Sequence, residues 1–206
     1  MKLLLTGFEP FNGRTVNPSQ LLLEQVQTPD GVTLIRQLLP VEFHKCTTLL
    51  KKLMKEHKPD IVLSLGQAGN YPEISVEKVA INLKDCRSLN GKKRLADNAG
   101  DVFVNEAIEA DGEIAYFATL PIWDMAEAIQ DAGIGAVVSY SAGTYVCNHV
   151  MYTVLHEAAT YYPNTKVGFV HVPFLPEQNP KRGHTMEFAN MLIGVQAVID
   201  FLGKGI

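Results

Sequence analysis

The chain is 206 residues long, 47% hydrophobic and 19% charged, and its 18 basic and 22 acidic side chains leave a formal charge of −4. Disorder, a collagen-like repeat and a coiled coil are excluded, and a chain of this length can bury roughly 70% of its unfolded surface without a metal or disulfide staple. The mild acidity also argues against nucleic acid as a partner, because phosphate contacts need a basic stripe.

In chain order, residues 1–7 carry one Lys and three Leu before Thr6 and Gly7 interrupt them. They suit a first strand at 2–5 and fall short of the roughly 7–15 apolar residues of a signal peptide, so secretion by that route is not expected. A first helix starts at Asn17-Pro18-Ser19, where an Asn cap precedes a Pro whose missing N–H is harmless in the first turn. Further strands are predicted at 32–38, 61–65, 74–83, 114–119, 136–140 and 166–172, and further helices at 43–57, 122–132, 145–161 and 184–202. Lys51, Lys52, Lys55 and Lys58 give the second helix a short solvated basic face. Residues 84–112 break the rhythm, because Asn90-Gly91, Lys92, Lys93, Arg94, Asp97-Asn98 and Gly100 concentrate charge and turn formers. A connection this long commonly covers a site or meets another subunit. No apolar run approaches the roughly 20 residues of a membrane span. The βαβα alternation predicts one α/β domain over 1–206, a mostly parallel twisted sheet with helices on both faces.

Ligands of such sheets bind beyond the carboxyl ends of the strands. That rule gathers the Gly7-Phe8-Glu9-Pro10-Phe11-Asn12-Gly13, Gly66-Gln67-Ala68-Gly69-Asn70 and Ser141-Ala142-Gly143-Thr144 loops. Thr144 is placed to cap a helix starting at Tyr145, which puts Cys147 in a first turn where free N–H groups and the helix dipole favour a thiolate. Cys147 is then either a nucleophile or a small buried apolar side chain. Cys46, mid-helix, and Cys86, at the start of the 84–112 excursion, lack that setting. No CxxC pair suggests zinc or redox chemistry, and reduced thiols in the cytoplasm are expected. A cysteine nucleophile needs an imidazole. His171, at a strand end on the same predicted edge, is either that base or a satisfied core histidine, whereas His149 stands two residues from Cys147 and points away on a helix. Glu77 shares strand parity with Val79 and Ile81, so it lies at an exposed end or is held by a partner such as an imidazole.

Five blocks then carry a resemblance. Gly7-Phe8-Glu9-Pro10-Phe11 with Asn17-Pro18, Gly66-Gln67-Ala68-Gly69, the 74–82 run ISVEKVAIN, the 141–148 run SAGTYVCN and the 171–178 run HVPFLPEQ resemble, in order, the motifs of pyroglutamyl peptidase I, a cysteine peptidase family also called pyrrolidone carboxyl peptidase. The resemblance implies removal of an N-terminal pyroglutamate from peptides through a thioester, with Cys147 as nucleophile, His171 as base and Glu77 as the orienting carboxylate. It implies that Phe8, Phe11, Gln67, Tyr145 and Val146 form the lactam pocket and that Arg87 lies near the oxyanion. It also implies a phosphorylase- or hydrolase-like fold, no metal or organic cofactor, a cytoplasmic location and a homotetramer. Flat apolar walls with a few lactam hydrogen bonds suit a cyclised residue that has no α-amine.

The sequence departs from the family pattern at Asn70-Tyr71 for Gly-Arg, Cys86 for Ala, Ser88-Leu89 for Ile-Pro and Tyr145 for Phe, and in a longer excursion. Two other readings are a nucleoside phosphorylase relative, for which Gly66 to Gly69 is a weak phosphate cradle, and a noncatalytic small-molecule binding module.

Overall fold

The first strand, Lys2–Phe8 (β1), carries Leu3, Leu4 and Leu5 into full burial on both faces of a sheet. It runs past the expected end at residue 5, because Thr6 donates its hydroxyl to Ser64 Oγ at 2.9 Å and Gly7 leaves room for the Ser19 carbonyl, into which any Cβ would collide. The computed structural model describes residues 1–69, 71–88, 91–178 and 184–205. The departures at Asn70 and Leu89, and Asn90 of the expected turn, lie outside the described residues.

The chain continues through α1 (Pro18–Gln25), β2 (Thr33–Leu39), α2 (Phe43–His57), β3 (Ile61–Gln67), β4 (Ile74–Glu77), β5 (Val79–Ile81), β6 (Ala115–Phe117), α3 (Ile122–Asp131), β7 (Ala136–Ser139), α4 (Val146–Tyr161), β8 (Lys166–Val172), a 3-10 turn at Pro176–Gln178 and α5 (Phe188–Gly203). Six strands form one sheet in the order β2-β1-β3-β8-β4-β7, and α1, α3 and α5 cover one face while α2 and α4 cover the other. The central strands β3 and β8 are apolar without alternation because helices bury both of their faces. Asn17 caps α1 as expected, accepting from Ser19 N at 3.1 Å.

The structure corrects three expectations. The 74–83 run is not one strand: at Lys78, whose N–H goes to Ser139 O, the chain leaves the main sheet and pairs β5 with β6 in a separate two-stranded sheet. β4 also runs antiparallel to β8, and β7 follows β4, so the sheet is mostly parallel with two reversed strands. Cys147 therefore does not arrive from a carboxyl edge shared by all strands. β7 is four residues long, and the Asp85 N–H···Thr144 O bond leads the following loop to the site. The last helix starts at Phe188 rather than 184, since Met186 N is engaged by Phe174 O. The 84–112 excursion has no helix or extended strand among its described residues. It is fastened by isolated bridges, Lys84 to Glu106 and Arg87 to Arg94, and by Asp97, whose carboxylate accepts from Phe43, Ala99 and Asp101 N–H groups at 2.9 Å. Asp97 thereby caps α2, whose own N-cap Glu42 makes no side-chain cap bond.

Candidate active site

Glu77 ends β4 and His171 is the penultimate residue of β8. In the antiparallel register Ser75 faces His171, which makes Glu77 its diagonal neighbour on the same face. His171 Nδ1 and Glu77 Oε1 lie 2.8 Å apart, and both residues are buried, at 4% and 2% exposure. Glu77 was thus held by a partner, while its shared parity with Val79 and Ile81 dissolves at the Lys78 crossing. Gly66 of β3 gives the imidazole its berth, since a Cβ there would lie 2.8 Å from the Phe169 ring and 3.0 Å from His171 Cδ2.

Cys147, half-buried, is the second residue of α4. Burial alone would lower the His171 pKa, but the charge and hydrogen bonding of the Cys147 sulfur, followed by those of Glu77, raise it to about 10. The pair favours an imidazolium beside a sulfur. Thr144 does not cap the helix, contrary to expectation: its hydroxyl donates to Asp85 O at 2.7 Å, and the N-cap is Tyr145 with no side-chain cap bond. The first turn of α4 therefore begins without a side-chain cap.

The residues expected to hold the ring come together around the thiol. Phe8, Phe11, Asn17, Val41, Gln67, Tyr145, Val146 and Cys147 line one narrow pocket. Gln67 ends β3 and donates to Gln178 Oε1, which also accepts from Leu175 N, while Gln178 Nε2 donates to Val16 O. Gln67 Oε1 is buried without a partner. Tyr145 packs tilted against Phe11 and edge-on to Phe43, and its hydroxyl donates to Ala96 O at 2.9 Å, tying the excursion to the pocket wall.

Arg87 lies apart from that pocket, in an adjoining cavity of about 470 Å³ that also touches Tyr145. Its guanidinium grips Asp85, whose carboxyl the contact lowers to about 2. His149 packs on Phe43 with its Nδ1 unpartnered, and burial, then the charge of Lys84, lowers its pKa to about 3, so it stays neutral. Burial raises the pKa of both Cys46 and Cys86. Gly66 and Gly69 offer no open phosphate cradle, because Phe169, His171 and Phe174 fill the space beside them.

Asn17 and Val41 were not expected in the pocket, and the role of a third residue was missed as well. Asn148, fully buried in the first turn of α4, accepts from Ile81 N and donates to the Ile81 and Leu83 carbonyls, which locks the cysteine-bearing turn onto β5. Its signal was an amide among the apolar residues Val146, Val150 and Met151 on a buried helix.

A thiol on an uncapped helix start, next to an imidazole that a buried carboxylate holds, defines a cysteine hydrolase on an α/β scaffold. A family model described as pyroglutamyl peptidase matches residues 1–203, and the chain belongs to that family. Pyrrolidone-carboxylate peptidase of Finegoldia magna is 46% identical over 97% of this chain and 94% of its own. The Lactobacillus johnsonii protein of the same name is 41% identical over 100% and 95%. Among solved structures, pyroglutamyl peptidase I of Bacillus amyloliquefaciens superposes with TM-score 0.90 at 35% identity, over 98% of this chain and 97% of that one. A variant of pyrrolidone carboxyl peptidase from Pyrococcus furiosus superposes with TM-score 0.89 at 35% identity over the full length of both.

Proposed function

We propose that the protein removes N-terminal pyroglutamate from peptides, with Cys147, His171 and Glu77 as its catalytic triad within one hydrolytic domain spanning 1–206. The observation that carries this reading is the buried 2.8 Å contact of Glu77 with His171 Nδ1, which leaves Nε2 of a ring that also interacts with the Cys147 sulfur for the chemistry. The Cys147 thiolate attacks the carbonyl joining pyroglutamate to the next residue, and the oxyanion meets the N–H groups at the α4 start. His171 passes its Nε2 proton to the leaving amine as the C–N bond breaks, which leaves a thioester. Water, losing a proton to the now neutral His171, adds to the thioester, and pyroglutamate departs as the thiolate is restored. Glu77 fixes the tautomer and balances the imidazolium throughout.

Phe8, Phe11, Gln67, Tyr145 and Val146 bind the lactam, with the unpartnered Gln67 Oε1 able to accept the ring N–H. Arg87, neutralised by Asp85 one cavity away, supports the oxyanion only at longer range. Exposed Ile114, Phe117, Trp123 and Tyr140 support self-association, for which a homotetramer is proposed, and the free thiols suit a cytoplasmic location.

The test is hydrolysis of a chromogenic pyroglutamyl amide beside the prolyl and glutamyl amides, before and after titration with iodoacetamide. Only the first substrate should be cleaved, with activity falling in step with Cys147 alkylation, and Cys147→Ser should retain the fold with under about 1% of the rate. A noncatalytic binding module would show no turnover to lose.

A further inference from the structure

An exopeptidase keeps the acyl residue inside the narrow pocket, and everything beyond the scissile bond lies outside it. The adjoining space is the cavity of about 470 Å³, which shares Tyr145 with the pocket and begins at Asn12, next to Phe11. Its charges are unevenly matched. Arg87 is satisfied by Asp85, whereas Lys93 and Arg94 are exposed and take part in none of the ion pairs among the described residues. Asp97, the next carboxylate along the segment, is occupied by the three N–H groups that it accepts. Two uncompensated cations therefore face a cavity on a chain whose net charge is −4.

The backbone that carries both cations is held in place. Ser88 N donates to Lys93 O at 2.8 Å, Leu95 N to Cys86 O at 2.9 Å, and the Tyr145 hydroxyl to Ala96 O, which sets residues 93–96 at the tip of the Tyr145 ring. Tyr145 immediately precedes the helix that bears Cys147. Since an extended chain advances about 3.3–3.6 Å per residue, the first two residues after the scissile bond cover the length of that ring.

We propose that Lys93 and Arg94 form a cationic subsite on the leaving-group side that receives a carboxylate carried by the residues after pyroglutamate. The carboxylate belongs to an acidic side chain or to the C-terminus of a short peptide. Arg94 offers a planar fork for two oxygens and Lys93 a point charge, and together they raise kcat/KM for acidic leaving groups by attraction before cleavage. The subsite rests on the hydrolytic reading above.

The test compares kcat/KM within two matched pairs: pyroglutamyl-glutamyl amide against pyroglutamyl-glutaminyl amide, and pyroglutamyl-alanine against its C-terminal amide. The charged member of at least one pair should be favoured about three- to tenfold, and the advantage should shrink as salt rises. The pair that responds identifies the source of the carboxylate. In Lys93→Gln/Arg94→Gln the ratio should fall toward one. Equal rates within both pairs in the parent protein would overturn the subsite, whatever the variant does, and so would a preference that survives the double substitution. Turnover without preference defeats the subsite alone, while no turnover on any pyroglutamyl substrate defeats the hydrolytic reading beneath it.

Discussion

Glu77 offers His171 one oxygen and leaves the other, Oε2, buried with no partner. A buried carboxylate without full solvation is destabilising unless a cation faces it, so its charge is matched by the imidazolium that also faces the sulfur. Glu77→Gln keeps the shape and removes the charge. Steady-state kinetics should show kcat lower by roughly 10- to 10⁴-fold with KM nearly unchanged, because the imidazole loses its charge support and the amide can present an N–H to Nδ1. An unchanged kcat would make Glu77 a structural partner only. At this scale the sequence was partly legible: Cys147, His171 and Glu77 stand in motif blocks, but that Glu77 and His171 meet depends on an antiparallel register between β4 and β8 that no local pattern records. The cap was misread at Thr144 because a hydroxyl before a helix suggests N-capping, and tertiary contact with Asp85 O claimed it instead.

At the scale of elements, the pocket lies between the segment after β1 and the first turn of α4. Phe11 is its half-buried wall, 6.3 Å from the Tyr145 ring. Phe11→Ala should remove ring contact with bound substrate and transition state alike, lowering kcat/KM for the pyroglutamyl amide by about 10- to 200-fold. The alkylation rate of Cys147 should hardly change, since a small reagent needs no ring pocket. If alkylation collapsed as well, Phe11 would be a packing residue that orders the loop. Helix α2 and strand β8 match their expected bounds because their apolar spacing is strong. The 74–83 run misled, since apolar residues continue past Lys78 although the chain changes sheets there, and a continuous pattern cannot reveal which sheet each half joins. The tie of the excursion to α2 was equally hidden, because Asp97 caps Phe43 across 54 residues of sequence.

For the whole molecule, two buried histidines shifted in opposite directions shape stability against pH. His171, facing Glu77 and Cys147, has its folded pKa raised from the ordinary 6.5 to about 10. Because its extra proton comes from Cys147, the ion pair holds one proton between its two groups, as the unfolded thiol and imidazole do above 6.5; only above about 8.5, where the unfolded thiol ionises, does the contribution of the pair decline, and it is lost above about 10. His149, near Lys84, His44 and Lys51, is lowered from 6.5 to about 3. Its contribution is complete above 6.5, declines as the unfolded state alone takes up a proton, and is lost below about 3. The buried thiol of Cys46 adds to the alkaline decline only above its ordinary value of 9.0, and Asp85 to the acid decline only below 3.8. The fall from 6.5 toward 3.8 therefore carries the His149 contribution, and the fall above about 8.5 that of the ion pair. Denaturant midpoints measured across pH should be nearly level from 6.5 to about 8.5 and fall on both sides of that interval. His171→Gln should reduce the fall on the alkaline side and His149→Phe the fall on the acid side, whatever either does to absolute stability. A parent profile that already falls steeply between pH 6.5 and about 8.5 would show that His171 takes its extra proton from solvent rather than from Cys147, and the thiolate–imidazolium pair would go with it.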